Sequence, residues 1–217
     1  MKIKVIFEDN HVIAVFKPAG LLSDPGKDNS PSLFFEVKKY LKKKYNKPGN
    51  VFLGIVHRLD RPVSGIMLFG KTSKGASRLS EQIRRGEIKK TYTALVSGIL
   101  KEKKGSLKNY LLKDRIKNKT SVFSSLVPGG KFSELSYEVI KEGKNCSLLT
   151  IILKTGRSHQ IRASLSSLGH PIFGDQKYGS KEKMPDNSIA LSASAVEFKT
   201  ATTGEIIKLS VPASFLL

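Results

Sequence analysis

Cysteine is almost missing: Cys146 is the one thiol in 217 residues. A single thiol forms no intrachain disulfide and no thiolate metal cluster. The four histidines, His11, His57, His159 and His170, show neither HxxxH nor HxH spacing, so the sequence offers no metal site. Tryptophan is absent. No stretch reaches the roughly 18 apolar residues of a membrane-spanning helix. The opening "MKIKVIFEDNHVIAVFK" is broken by Glu8, Asp9, Asn10 and His11 and does not read as a signal peptide. There is no GxxxxGKS/T, and no GxGxxG follows an apparent strand. A cytoplasmic protein with no membrane partner is the expectation.

Acid is the other shortage. Asp and Glu total 18 against 38 Lys and Arg, a net charge of +20, with a pI near 10.0. Such an excess repels itself and suits a polyanionic partner, because each neutralised phosphate releases counterions. RNA or DNA is therefore the expected partner class. The hydrophobic fraction of 39% and mean hydropathy of -0.20 suit a globular chain long enough to bury a core.

Periodicity sketches the elements. Residues 3–16 read as a hairpin, and "KPAGLLSDPG" (17–26) as a shaped loop. Residues 32–45 read as a helix, with Leu33, Val37, Tyr40, Leu41 and Tyr45 on one face and five lysines around the rest. "SGIMLFGKT" reads as a buried strand. A helix follows from Ser73 to about Arg85, with Ser73 as N-cap and Gly86 as stop. "KKTYTALVSG" (89–98) alternates as a strand. Residues 101–119 carry eight Lys/Arg and two acids without clear period, which suggests a mobile basic excursion or an irregular hairpin. "FSELSYEVIKE" and "CSLLTIILKTG" read as paired strands. A short helix with Ser158 as N-cap and Gly169 as stop comes next. "IALSASAVEF" and "EIIKLSVP" close the chain. Strands dominate and regular crossovers are lacking. The expected fold class is α+β: a single domain over 1–217 with a central mixed, largely antiparallel sheet flanked by short helices.

Two charged clusters stand out. In "VHRLDRPVSGIMLFGKT" (56–72) one acid, Asp60, sits among His57, Arg58 and Arg61. Opposite charge favours its ionised form. A carboxylate there can be a nucleophile, a base or a stabiliser of positive charge at a sugar carbon; it can equally be a turn residue or half of an ion pair. In "TGRSHQIR" (155–162), Arg157 and Arg162 flank the start of a helix, where a planar fork can address carboxylate or phosphate. Tyr92, on its strand, suits stacking on a base if it faces a cleft.

Four stretches in order, "KPAGLLSDPG", "HRLDRPVSGIMLFGKT", "KKTYTALVSG" and "TGRSHQIRASLSSLGHPIFGDQKYG", resemble the RluA-type pseudouridine synthases. The resemblance spans residues 17–179. It implies a pseudouridine-synthase-like catalytic domain and a cofactor-free isomerisation of uridine in tRNA or rRNA. The N1–C1′ bond breaks, the uracil turns, and C5 joins C1′. By resemblance, Asp60 is the catalytic aspartate. Tyr92 packs on the target base and is a candidate for removing the C5 proton. Arg162 is the arginine that pairs with the aspartate, and Arg58 fills the gap left by the flipped uridine. His57, Arg61, Arg157 and Gln160 join Arg58 as expected RNA contacts. The chain departs from the pattern at Pro62-Val63, and at Ala163-Ser164, where members often carry histidine. It starts at its first hairpin, which suggests that the S4-type RNA-binding domain of many relatives is missing. A monomer is expected.

Two rival readings remain open from the residues. One is glycoside hydrolysis by Asp60 and Asp175, which needs carboxyl groups about 5 Å apart for retention or about 6.5–9.5 Å for inversion. The other is a basic RNA-binding module in which Asp60 is structural.

Overall fold

A computed structural model describes residues 3–26, 29–184, 186–213 and 215. In chain order the elements are β1 (Lys4–Glu8), β2 (Val12–Lys17), α1 (Leu33–Lys44), β3 (Gly54–Ile55), β4 (Ser64–Gly70), α2 (Ser73–Arg85), β5 (Lys89–Ser97), β6 (Lys104–Asp114), β7 (Lys119–Phe123), β8 (Lys131–Glu142), β9 (Cys146–Leu153), α3 (Gln160–Ser167), a 3-10 turn (Gln176–Tyr178), β10 (Leu191–Lys199) and β11 (Ile206–Ser210). The class is α+β, as the pattern predicts: mixed, largely antiparallel β structure with short helices. The described chain forms two compact units. The first runs up to Ile88 and regains Ala193–Pro212; the second holds Lys89–Ser192 with Ala213 and Phe215.

In the first unit, β2 pairs antiparallel with both β1 and β4, and β3 adds to β4. Every residue of β4 is buried. The reason is that both of its faces are covered. Ile66 and Leu68 join Val12, Ala14, Leu79 of α2 and Phe198 in one cluster. Met67 and Phe69 join Ile13, Val15 and Leu33, Val37 and Leu41 of α1 in the other. A strand covered twice reads as a continuous apolar run rather than an alternating one. Its second residue, Gly65, has φ +124°, and a Cβ there would collide with the backbone of Ala193. Glycine supplies both the conformation and the space.

The predicted α2 is present, with Gly86 left-handed (φ 70°) as its stop. Its N-cap is Thr72 rather than Ser73, because the Thr72 hydroxyl accepts from the Gly75 N–H at 3.1 Å.

In the second unit the strand order is β5-β9-β8-β6-β7, each neighbouring pair antiparallel. Of the two readings of the basic stretch 101–119, the hairpin is the one found, and it is regular. The stretch holds all of β6, which pairs with β8 along Lys104–Leu111 and with β7 along Tyr110–Asp114. Its inward residues, Leu107, Asn109 and Leu111, alternate with Ser106, Lys108 and Tyr110, so the period is real but only partly apolar. The short helix α3 begins at Gln160; His159, immediately before it, is the N-cap and holds a left-handed conformation (φ 54°) without a side-chain cap bond. Ser158 does not cap; its hydroxyl accepts from Lys113 Nζ at 2.7 Å and its carbonyl from Thr120 Oγ1 at 3.1 Å.

Candidate active site

Asp60 is half-buried in the loop between β3 and β4. That loop is stitched to the 17–26 segment by a ladder of hydrogen bonds. Gly20 N–H donates to the Arg61 carbonyl at 2.8 Å, and Arg61 Nε donates back to the Gly20 carbonyl at 2.9 Å. The Ser23 hydroxyl donates to the Leu59 carbonyl at 2.6 Å and accepts from the Leu59 N–H at 3.1 Å. Asp60's own carbonyl closes a turn by accepting from Val63 N–H at 3.0 Å. The residues on both sides of the acid are thus fixed by one neighbouring segment, and Asp60 is carried between them.

At the base of this ladder lies Lys17, fully buried at 0% exposure. Its ammonium donates to the carbonyls of Val63 (2.7 Å), Pro18 (3.0 Å) and Arg61 (3.1 Å). Burial pushes the amine down to about 7; the Asp60 charge opposes that shift and the Arg61 charge adds to it. Lys17 was not singled out by the sequence reading. The available signal was a lysine ending the apolar run "VIAVF" and preceding Pro18.

The other expected residues of this cluster divide by role. Arg58 is exposed and donates to Asp24 Oδ2 at 2.9 Å. Arg61 is exposed apart from its Gly20 bond. His57 accepts the Leu68 N–H at Nε2 (2.9 Å). That leaves Nδ1 as the proton-bearing nitrogen of a neutral ring. His57 therefore braces β4 as well as lining the motif.

In the second unit, Arg162 grips Asp175: Nε donates to Oδ2 at 2.7 Å and Nη2 to Oδ1 at 2.8 Å. Both are buried, at 6% and 1% exposure. The guanidinium lies 5.0 Å from the Tyr178 ring centroid. The Tyr178 hydroxyl meets His159 Nδ1 at 2.8 Å and accepts from Thr120 N–H at 2.8 Å. Burial pushes the Tyr178 phenol up. Asp175 is thus the carboxylate that orients Arg162, a role unlike the catalytic acid of the glycosidase alternative. Sequence reasoning had no signal for this beyond an acid in the loop after α3.

Gln160 departs from its expected role as an RNA contact. It is 2% exposed. Its side-chain oxygen accepts from Arg157 N–H (3.0 Å) and the Thr155 hydroxyl (2.9 Å), and its amide donates to the Glu134 carbonyl (3.0 Å). It organises the loop that Arg157 sits on. Arg157 itself is exposed, with Nε donating to the Phe132 carbonyl at 2.9 Å. Tyr92 is buried at 8% exposure on β5, opposite Ile151 of β9. Among the described residues no group of three or more His, Cys, Asp and Glu is placed to hold a metal. Among the described residues no helix is long and apolar enough to cross a membrane.

The profile of the RNA pseudouridylate synthase family matches residues 11–167, a span that includes Asp60, Tyr92 and Arg162. Ribosomal large subunit pseudouridine synthase C of Buchnera aphidicola subsp. Acyrthosiphon pisum is 35% identical over 96% of this chain and 67% of its own length. Dual-specificity RNA pseudouridine synthase RluA of Pasteurella multocida is 33% identical over 97% of this chain and 93% of its own length. The solved structure of human RNA Pseudouridylate Synthase Domain Containing 4 shares the fold, with a TM-score of 0.81 at 18% identity, covering 97% of this chain and 88% of that one. These matches define the class, an isomerase acting on RNA. The chain belongs to the RNA pseudouridylate synthase family, and its relatives are of the RluA type.

Proposed function

We propose that the protein converts specific uridines in structured rRNA or tRNA to pseudouridine, with Asp60 as the catalytic carboxylate. The observation that carries this reading is the tethering of the Asp60 loop. Lys17, Gly20 and Ser23 hold the backbone at Leu59, Arg61 and Val63. A carboxylate that only formed a surface ion pair would need no such support. Catalysis by positioning does need it.

The reaction is an isomerisation. The N1–C1′ bond breaks, the uracil rotates, the C5–C1′ bond forms, and the C5 proton leaves as N1 gains one. Asp60 acts on the ribose, either by attack at C1′ or by removal of the C2′ proton. Tyr92 packs on the uracil. Arg162, oriented by Asp175, is by resemblance the arginine that pairs with the catalytic aspartate. Because a stacked uridine is out of reach, the nucleotide is extruded at a cost of roughly a few kcal/mol; exposed Arg58 takes the vacated place. The RNA class is read from the relatives, two of whose names specify the ribosomal large subunit or dual specificity.

The test is carbodiimide modification and primer extension on total RNA from a strain lacking the enzyme, incubated with wild-type protein or Asp60→Asn. A new pseudouridine made by wild type and not by the variant is expected, with RNA affinity unchanged within about threefold. Loss of RNA binding in Asp60→Asn equal to its loss of turnover would instead favour a structural acid in an RNA-binding module.

A further inference from the structure

Lys90 has no place in the reading above, and its surroundings are unusual. It lies on β5 two residues before Tyr92, so the two side chains leave the same face of the strand, roughly 7 Å apart along it. It is half-buried. Among the described residues, no carboxylate, carbonyl or hydroxyl accepts a hydrogen bond from its amine. By contrast, Lys103, Lys104 and Lys154 on neighbouring parts of the same sheet each have a glutamate partner. Burial without a counter-charge pushes the Lys90 amine down.

The amine is also aimed at a gap in the side-chain cover. A Cβ built on Gly156 would lie 3.3 Å from Lys90 Nζ, and beyond Gly156 and its two chain neighbours nothing else comes within 4 Å of that point. Gly156 is exposed, and exposed Arg157 follows it. A cation partly removed from water, beside the bare, exposed backbone of one glycine, is set to receive an anion. The missing side chain at Gly156 leaves room for that anion to come close. A phosphodiester fits better than a carboxylate of another protein, because this family acts on a polyanion.

We propose that Lys90 grips a backbone phosphate of the RNA substrate over Gly156, seating the strand beside Tyr92. This rests on the reading of the protein as an RNA-modifying enzyme. The phosphate would supply the partner that the folded chain withholds, so the lysine is poorly placed for stability and well placed for binding. A residue kept for packing would show the opposite balance.

The experiment compares wild type, Lys90→Met, Lys90→Arg and Gly156→Ala in three readouts: thermal midpoint, affinity for unfractionated tRNA across a salt series, and turnover on the RNA identified by mapping. Lys90→Met is expected to keep or raise the thermal midpoint and to weaken RNA binding about tenfold near 0.1 M salt. The slope of log affinity against log salt should become shallower by about one. Lys90→Arg should retain affinity and slope. Gly156→Ala should move both binding readouts the same way by less. At saturating RNA, the loss of turnover in Lys90→Met should be smaller than its loss of affinity. Unchanged affinity and slope in Lys90→Met would overturn the assignment, as would a lowered thermal midpoint with an unchanged slope. Wild type without turnover on any RNA would remove the functional reading, while the salt slope on tRNA would still decide the role of Lys90.

Discussion

Lys17 shows how a single residue can serve the acid without touching substrate. Its three hydrogen bonds end on carbonyls of Pro18, Arg61 and Val63, so it sets the path of the chain between Asp60 and Gly65 and ties it to the start of the 17–26 segment. With its amine pushed down to about 7 by burial, the folded state sheds a proton well before the unfolded chain does at its ordinary 10.5. Between those values the unfolded state binds more protons, and stability therefore rises with pH. Urea midpoints measured from pH 6 to pH 10 should climb for wild type, and Lys17→Met should lack that component. A wild-type slope equal to the variant's would mean that Lys17 stays protonated throughout. A second prediction concerns Arg162 and Asp175. Asp175→Asn leaves a buried guanidinium without its counter-charge and should cost roughly 3–5 kcal/mol of stability, read as a fall in the chemical-denaturation midpoint. At this scale the sequence was legible where a residue stood out from its neighbours, as Asp60 does among cations. It was misleading where a polar side chain turned inward, as Gln160 does, because nothing in "RSHQIR" tells which polar group faces the loop's own backbone.

The elements of the first unit are joined through a charged knot. Glu8, at the end of β1, accepts from Lys44 (2.7 Å) and Tyr40 (3.1 Å) at Oε2, and from Lys71 (2.7 Å) and Tyr45 (2.6 Å) at Oε1. Those donors come from α1, from its C-cap and from the residue after β4. Burial alone would raise the carboxyl, but these hydrogen bonds outweigh it and hold Glu8 at about 2. Its folded value lies below the ordinary 4.5. The stabilisation is therefore complete above pH 4.5 and fades as pH falls toward 2. Glu8→Gln should be less stable than wild type by roughly 2 kcal/mol at pH 7, and the gap should close in acid; a gap that persists at pH 2 would assign the loss to packing. The lysines crowding α1 are thus in part structural, which charge counting could not show. Helices with a full apolar stripe, α1 and α2, were legible to within a residue or two. The hairpin of β6 and β7 was legible only as one of two alternatives and not as regular strands, because its inward positions include Asn109, Gly105 and Lys113, and its turn "DRIKNK" looks like a basic tail. The cap of α3 was missed because His159 reaches a left-handed φ that histidine adopts only occasionally.

At the scale of the molecule, charge is the property that sequence reports most directly and structure refines least. The excess of +20 is spread over both units. In the first, Lys38, Lys39, Lys42 and Lys43 line α1 and Arg58 and Arg61 flank Asp60; in the second, Arg115, Lys117 and Lys119 ring the β6–β7 turn. What the linear sequence hides is which segments belong together. Ala193–Pro212 returns to the first unit after Lys89–Ser192 has formed most of the second, and no Pro/Gly-rich or polar linker marks the passage at Ile88–Lys89 or at Ser192–Ala193. The charge makes a quantitative prediction that does not depend on that division. If six or so phosphates are neutralised, affinity for structured RNA should fall about a thousandfold between 50 and 200 mM salt, with a log–log slope near -5. Asp60→Asn should follow the same line, since the acid releases no counterion on binding phosphate. Filter binding of labelled tRNA across that range checks both statements. A slope near zero would mean that the basic surface faces solvent rather than RNA, and that the enzyme holds its uridine through base and ribose contacts alone.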